Sequence, residues 1–155
     1  IYGLTTGQLS PTSMMGHKTK STPSGSIESP VNPIALALAS GATYVARGFS
    51  GDPKRLGELI AGGLRHRGFA LVDVLSPCVT FNNTYSSIKA RAKNLDESHS
   101  LANKVEAIDL ALSDNPLYFG ILYDVQVPTI NEKITLLHGK LRGKASLEEL
   151  LTSSA

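Results

Sequence analysis

The sequence predicts an α/β protein with a parallel sheet flanked by helices. Two apolar segments, 43–49 and 69–75, have the length of strands, and a segment with helix start and stop signals separates them. The second segment is apolar on both faces apart from Asp73, which is typical of a strand in the interior of a parallel sheet. A strand, a helix and a strand in this order form a right-handed crossover unit, so the two strands should be parallel.

Composition narrows the class of protein further. The 155 residues are enough for one domain, and 41% hydrophobic with 18% charged residues is an ordinary globular balance. A net charge of +2 and the absence of Trp argue against a nucleic-acid partner. No apolar run approaches the ~20 residues that span a bilayer, so we expect a soluble, cytoplasmic protein without membrane contact. Because the chain has no initiator Met, we expect a fragment or a processed product.

The N-terminal segment is rich in glycine, proline and hydroxyl side chains. Residues 5–31 predict a long loop that acts as a lid or a binding segment. Glycines and small hydroxyl side chains let backbone N–H groups converge on an anion. Residues 1–12 therefore resemble half of a phosphate-binding loop without its preceding strand, although on residue chemistry alone an ordinary flexible loop is the better interpretation.

Start and stop signals bound the two helices that follow. Asn32 and Pro33 supply an N-cap and a first-turn proline for a helix over 34–40. Asp52 and Pro53 repeat this signal after the first strand. The apolar residues of the second helix recur at helical spacing until a glycine at position 68: Leu56, Leu59, Ile60 and Leu64.

The second half of the chain has weaker patterns. We expect a basic amphipathic helix over 85–95, a helix over 103–113 and a strand over 117–123. In the helix over 103–113, the residues expected to face inward are Val105, Ile108 and Leu112.

We place a domain boundary between residues 123 and 124. Residues 124–155 should form an irregular C-terminal extension with helices around 132–137 and 146–151. This extension either docks onto another surface or is a frayed terminus.

Cys78 is the only cysteine of the chain, which excludes an internal disulfide and suits a reducing compartment. It lies just beyond the second strand, at the edge where open α/β sheets bind ligands. The N-terminal loop would lie at the same edge if a strand preceded Ile1. For a lone cysteine, a buried structural thiol is the usual role.

Four motifs together resemble the β subunit of 2-oxoacid:ferredoxin oxidoreductases, in its C-terminal portion. They are residues 1–12, the run 18–23 with Gly25, the Asn32-Pro33 helix start, and residues 73–82. The resemblance extends over residues 1 to about 123. It implies a thiamine-diphosphate-binding fold, truncated at its N-terminal side.

The resemblance also implies an activity. Enzymes of this family use thiamine diphosphate and Mg²⁺ to decarboxylate a 2-oxoacid oxidatively, transfer the acyl group to coenzyme A, and pass electrons through a 4Fe-4S cluster to ferredoxin. Pyruvate and 2-oxoglutarate enzymes share these motifs. The α subunit of the same oxidoreductase is the implied partner.

The family motifs assign roles to residues of the N-terminal loop. The backbone carbonyl of Ile1 corresponds to a ligand of the Mg²⁺ that bridges the cofactor diphosphate, and carbonyl oxygen suits Mg²⁺. The residues that would line the cofactor are Tyr2, Gly3, Leu4 and Thr5, with Leu4 nearest the thiazolium ring and the substrate. Many relatives carry a lysine where this chain has Thr6.

Cys78 corresponds to the last of four thiolate ligands of the cluster. The family's Gly-Asp-Gly magnesium motif and its Cys-x-x-Cys pair are absent from these 155 residues. The glutamate that activates the cofactor belongs to the partner subunit, and no residue of this chain is expected to act as acid or base. We therefore expect this chain alone to be catalytically inert.

Other polar residues have simpler roles. Asp73 should be a satisfied core carboxylate, and the four histidines should be structural or solvated because no carboxylate or second histidine stands at ligand spacing. Two other functions stay open: a cluster-free thiamine-diphosphate decarboxylase, such as the sulfopyruvate type, and a non-catalytic assembly module.

Overall fold

The computed structural model describes residues 1–96 and 98–141. The chain divides into two units, of which the first is Ile1–Val125 and the second begins at Gln126. The elements in chain order are α1 (Pro33–Ala39), β1 (Tyr44–Phe49), α2 (Pro53–Arg65), β2 (Ala70–Leu75), α3 (Tyr85–Arg91), β3 (Ala92–Asn94), α4 (Lys104–Leu112), β4 (Leu117–Asp124) and α5 (Ile130–Leu141).

The sheet confirms the α/β class and the predicted crossover unit. Its strand order is β2-β1-β4-β3, and β1 and β2 are parallel, with Arg47 opposite Asp73. However, β4 is antiparallel to β1, so the sheet is mixed and not parallel throughout. An apolar run fits either strand direction, because direction depends on how the preceding connection returns to the sheet.

The sequence predicted that the second strand, β2, lies in the interior of the sheet, and this prediction is wrong. Among the described residues it pairs with β1 alone, and its residues are half-buried or exposed. The fully buried strand is β1, which pairs on both sides and is buried from Tyr44 to Gly48. Strand order is set by pairing between distant segments, which the residue pattern of a single strand does not record.

The predicted helix over 85–95 is shorter than expected. It ends at Arg91, and the next three residues form β3, an exposed edge strand parallel to β4. The ammonium group of Lys93 lies 5.7 Å from the ring centroid of Tyr118 on the neighbouring strand. Pairing with β4 therefore takes precedence over continuation of the helix.

The prediction for the inward face of α4 is partly wrong. Val105 is 71% exposed and Leu112 is 57% exposed, whereas Ala107 and Ala111 are buried. Ile108 packs against the core as expected. Small residues let α4 approach α1 closely, and the side-chain amide of Asn32 donates a hydrogen bond to the Ala111 carbonyl at 2.7 Å. The buried stripe is thus set by the neighbouring helix.

The main core lies between α1, α4 and the centre of the sheet. Its side chains exclude water almost completely, which is the main source of folding free energy. The buried residues of this cluster are Ile34, Ala37, Leu38, Ala42, Val45, Ala107, Ala111, Leu122 and Tyr123. Caps fix the helix starts: Asn32 accepts from the Ala35 N–H at 3.0 Å, and Asp52 accepts from the Arg55 N–H at 3.2 Å.

In the second unit the structure describes residues 126–141. Thr129 and Glu132 form a capping box, in which the Thr129 N–H donates to the Glu132 carboxylate at 2.8 Å. Helix α5 runs from Ile130 to Leu141 and is longer than the predicted 132–137. The second predicted helix, around 146–151, lies outside the described residues. Within the described part of the chain, none of the helices combines the length and apolarity that a bilayer span requires.

Candidate functional site

The N-terminal loop, residues 1–31, begins with a tight turn. The Tyr2 N–H donates to the Gln8 carbonyl at 2.8 Å, and the Gly7 N–H donates to the Tyr2 carbonyl at 3.0 Å. Thr6 and Gly7 reverse the chain with φ values of 63° and 101°. Glycine adopts this left-handed conformation without steric cost, which accounts for its presence at position 7.

The rest of this loop is also folded by its own backbone. The Gly16 N–H donates to the Ser26 carbonyl at 2.7 Å, and the Ser26 N–H donates to the His17 carbonyl at 3.0 Å. At Gly25 a Cβ atom would lie 2.8 Å from the Gly16 carbonyl oxygen, so only glycine fits. A loop without regular elements therefore still has a defined conformation.

The Cys78 turn, residues 76–83, follows β2 directly. Cys78 and Asn82 pair as an isolated antiparallel bridge, and the Asn82 N–H donates to the Cys78 carbonyl at 2.9 Å. Hydrogen bonds from the backbone of Phe81, and to a lesser extent of Thr80 and Asn82, lower the pKa of the Cys78 thiol, although partial desolvation opposes them. This turn therefore favours a thiolate, the form that binds metals.

The N-terminal loop and the Cys78 turn lie against each other, as their predicted position at one sheet edge requires. A Cβ atom on Gly3 would lie 3.3 Å from the Cys78 Sγ atom, and one on Gly7 would lie 3.3 Å from the Phe81 Cβ atom. These two glycines let the two segments approach within van der Waals contact. The carboxyl end of β2 thus carries both segments that the sequence singled out.

The side chains at the start of the loop project outward. Leu4 is 99% exposed and Tyr2 is 49% exposed, and Thr5 is also exposed. Covering exposed leucine and tyrosine side chains with a ligand or a partner lowers the free energy of the system, because apolar surface leaves water. Nothing in the fold of this unit requires Leu4 to be apolar.

A cavity of about 950 Å³ lies beside these segments and contains a buried ion pair. The Arg47 Nε atom donates to Asp73 Oδ2 at 3.2 Å, and its Nη2 atom donates to the Ala111 carbonyl at 3.1 Å. Asp73 is satisfied by this ion pair, as expected, but it is half-buried beside the cavity and does not lie in the core. Sequence reasoning missed Arg47, although a single basic residue in an apolar strand is a recognisable signal.

The Arg47 Nη1 atom is buried and has no hydrogen-bond partner among the described residues. Arg47 is 4% exposed, so water does not reach this atom freely. A buried N–H group without an acceptor lowers the stability of the folded protein, because it has lost its hydrogen bonds to water.

Two histidines have partners that the sequence did not reveal. His66 places Nδ1 3.2 Å from Asp124 Oδ1 and Nε2 2.8 Å from Thr43 Oγ1. His99 places Nδ1 3.3 Å from Glu106 Oε1, and its Nε2 atom donates to the Leu122 carbonyl at 2.9 Å. Their structural role is confirmed. Sequence spacing did not reveal the two carboxylate neighbours, because Asp124 belongs to a distant strand and Glu106 lies seven residues after His99.

No cluster of three or more His, Cys, Asp and Glu side chains that suits a metal ion occurs in residues 1–96 and 98–141. Cys78 can therefore supply one ligand to a metal centre, and further ligands have to come from elsewhere.

Two family models match the chain, one before and one from Cys78 onward. Residues 1–74 match the thiamine pyrophosphate enzyme, C-terminal TPP binding domain. Residues 78–139 match the C-terminal part of the beta subunit of pyruvate ferredoxin oxidoreductase. The first match covers the N-terminal loop and ends within β2, and the second begins at Cys78.

Curated relatives are named as beta subunits of 2-oxoacid:ferredoxin oxidoreductases. The chain is 46% identical over 118 residues to the 2-oxoacid:ferredoxin oxidoreductase subunit beta of Saccharolobus solfataricus, covering 73% of this chain and 39% of that protein. It is 42% identical over 149 residues to the protein of the same name from a Sulfolobus species, covering 86% of this chain and 49% of that protein. The chain thus spans less than half the length of these two relatives.

A solved structure has the same fold. It is the 2-oxoglutarate:ferredoxin oxidoreductase from Magnetococcus marinus with 2-oxoglutarate, coenzyme A and succinyl-CoA bound. The similarity covers 100% of this chain and 55% of that chain, with a TM-score of 0.86 and 36% identity. With the two family matches and the named relatives, this shows that the chain belongs to the family of 2-oxoacid:ferredoxin oxidoreductase β subunits and contains a thiamine-diphosphate-binding C-terminal domain.

Proposed function

We propose that this chain serves an enzyme that converts a 2-oxoacid and coenzyme A to acyl-CoA and CO₂ and passes the electrons to ferredoxin. The substrate is 2-oxoglutarate or pyruvate. The observation that carries the proposal is the contact between the N-terminal loop and the Cys78 turn at the carboxyl end of β2, with Gly3 against the Cys78 sulfur. A cofactor loop and a cluster ligand have to be close neighbours for electrons to pass between them.

The N-terminal loop suits thiamine diphosphate and Mg²⁺. We propose that the Ile1 carbonyl is a Mg²⁺ ligand, since Mg²⁺ prefers oxygen and takes few protein groups beside phosphate. Tyr2, Gly3, Leu4 and Thr5 then line the cofactor. The backbone bonds of the 2–8 turn hold these residues in a fixed shape, and their outward-facing side chains support contact with a ligand. When bound, thiamine diphosphate supplies the carbon nucleophile and the electron sink for decarboxylation.

Cys78 suits a 4Fe-4S cluster. Backbone N–H groups of its own turn lower the pKa of the thiol, and a thiolate is the form that ligates iron. Cys78 is the only cysteine of the chain, so we propose that the other three thiolates belong to the upstream part of the full-length subunit. The cluster then carries single electrons toward ferredoxin.

The remaining parts of the active site are proposed to come from an α subunit. We expect no residue of this chain to act as acid or base, so we propose that the chain positions cofactors and excludes water, and that the isolated chain is inert. We place the assembled enzyme in the cytoplasm, where a thiolate and a reduced electron carrier are stable.

An assay of the purified complex tests the proposed reaction. We expect reduction of ferredoxin, or of a viologen dye, that requires both a 2-oxoacid and coenzyme A, and no reduction by the isolated chain. Parallel assays with 2-oxoglutarate and pyruvate identify the substrate. Activity of the isolated chain, or turnover without coenzyme A and electron acceptor, would contradict the proposal and would favour a cluster-free decarboxylase.

Substitution of Cys78 tests the cluster ligand. Cys78→Ser in the complex should abolish the paramagnetic signal of the reduced cluster, because a hydroxyl replaces the thiolate. Val79→Ala is the matched control, since Val79 is the next residue and is 74% exposed. A wild-type spectrum in Cys78→Ser would refute the assignment.

A further inference from the structure

We propose that Gly3 is a positioning residue that couples the two cofactor sites, so that thiamine diphosphate binding at residues 1–5 and cluster ligation at Cys78 each depend on the other. The inference rests on the proposed function, because it takes residues 1–5 as the cofactor loop and Cys78 as a cluster ligand. It adds a physical link between them that neither role requires.

The first observation is the reason for a glycine at position 3. Gly3 does not adopt a left-handed φ, unlike Gly7 and Gly25, so its backbone would accept any residue. The constraint comes from the sulfur: a Cβ atom would lie 3.3 Å from Cys78 Sγ. This separation is shorter than most contacts of a Cβ atom, so one of the two groups would have to move by a few tenths of an ångström.

The second observation is that a closed turn holds the backbone of Cys78 in place. The turn that carries Cys78 is closed by the bond from the Asn82 N–H to the Cys78 carbonyl at 2.9 Å. A displacement of Cys78 would therefore disturb this bond, and the loop that carries Gly3 would have to yield as well.

The third observation is that the loop rests on the turn at a second point. Gly7 faces the Cβ atom of Phe81, where an added Cβ atom would lie 3.3 Å away. Phe81 lies in the same turn as Cys78, which the bond from the Asn82 N–H to the Cys78 carbonyl closes. The contacts at Gly3 and Gly7 thus join residues 1–8 to residues 78–82 as one packed unit. A ligand that fixes one segment restricts the other, and by linkage the effect is reciprocal.

A double-mutant cycle on the assembled complex tests this coupling. The measured quantity is the Kd of thiamine diphosphate in excess Mg²⁺, after removal of the resident cofactor. We expect Gly3→Ala to raise this Kd by about fivefold or more in the parent complex, within the usual range of coupling between sites. In a Cys78→Ala background the same substitution should have no effect, because the Cβ atom of residue 78 lies 4.0 Å from the added group, an ordinary contact distance.

The spectrum of the reduced cluster gives a second readout. Gly3→Ala should change the paramagnetic signal, because the sulfur has to shift. Gly57→Ala is the matched control: Gly57 lies on α2, and an added Cβ atom would meet no atom within 4 Å. It should leave both the spectrum and the Kd unchanged.

Four outcomes would contradict parts of this proposal. An effect of Gly3→Ala on Kd that is equal in the two backgrounds, or an unchanged cluster spectrum, overturns the coupling while the proposed function stands. If Gly3→Ala fails to assemble, Cys78→Ala alone still tests the link, and a Kd equal to that of the parent complex overturns it. A persistent wild-type cluster in Cys78→Ala would instead refute the ligand assignment.

Discussion

The scaffold and the site of this protein are built in opposite ways. In the scaffold, formed by α1, β1, α4 and β4, Ile34, Leu38 and Leu122 are completely buried. In the site, formed by the N-terminal loop and the Cys78 turn, Leu4 is 99% exposed and Val79 is 74% exposed. The scaffold is held by apolar burial, and the site by backbone hydrogen bonds and close approach at glycines.

This difference separates stability from function. Apolar burial dominates the free energy of folding, whereas exposed loops contribute little to it and carry binding residues. Substitutions in the scaffold should therefore change the free energy of unfolding, and substitutions in the site should change cofactor binding and thiol chemistry. The ion pair between Arg47 and Asp73 is the element that belongs to both regions, because it is buried and also lines the cavity.

Removal of Asp73 should have the largest effect on stability. In Asp73→Ala the buried Arg47 guanidinium loses its carboxylate contact, and breaking a buried pair in this way costs about 3–5 kcal/mol. Urea denaturation measures the loss. Asp109→Ala, at an exposed position on α4, is the control and should change stability by less than about 0.5 kcal/mol. If Asp73→Ala lowers the free energy of unfolding by less than about 1 kcal/mol, the ion pair does not stabilise the scaffold and serves the site alone.

Truncation of Leu38 should rank next. Leu38 is 0% exposed, so Leu38→Ala leaves a cavity and should cost about 2–5 kcal/mol in urea denaturation. Leu36 lies on the same helix and is 60% exposed. Leu36→Ala therefore loses little burial and should cost less than about 1 kcal/mol. Equal losses at the two positions would show that α1 is not anchored by its buried face.

Loss of the cap of α1 should have a smaller effect. Asn32 accepts from the Ala35 N–H at 3.0 Å and donates to the Ala111 carbonyl at 2.7 Å. Asn32→Ala removes both bonds and should cost about 1–2 kcal/mol. Asn32→Asp keeps an acceptor for the cap but loses the donor, which separates the two contributions. If both variants lose the same stability, the cap itself contributes nothing.

The rate of Cys78 alkylation should depend on pH through the lowered pKa of its thiol. Because hydrogen bonds from the turn lower the thiol pKa below its usual value of 9.0, the folded, cluster-free protein should form the reactive thiolate at lower pH than the unfolded chain does. Iodoacetamide kinetics in native buffer and in urea measure the two midpoints, and the single cysteine makes the labelling unambiguous. Coincident midpoints would show that the turn does not favour the thiolate.

Local signals predicted much of the fold. The caps at Asn32 and Asp52, each followed by proline, mark the starts of α1 and α2, and α1 begins at Pro33, one residue before the predicted start. The apolar runs mark β1, β2 and β4 within one residue at each end. These signals work because a cap or an apolar run acts on its own neighbours in sequence. The same holds for Cys78, whose position after β2 follows from the strand that precedes it.

The sequence by itself determined the α/β class, the helix starts, and the two segments that form the candidate site. The tertiary structure decided the reversed direction of β4, the inward face of α4, the partner of Arg47, and the distant partners of His66 and His99. It also decided why residue 3 is a glycine, since the sulfur that excludes a side chain there belongs to residue 78. Each of these features depends on a contact between segments far apart in the chain, and a local pattern contains no record of the group it will meet.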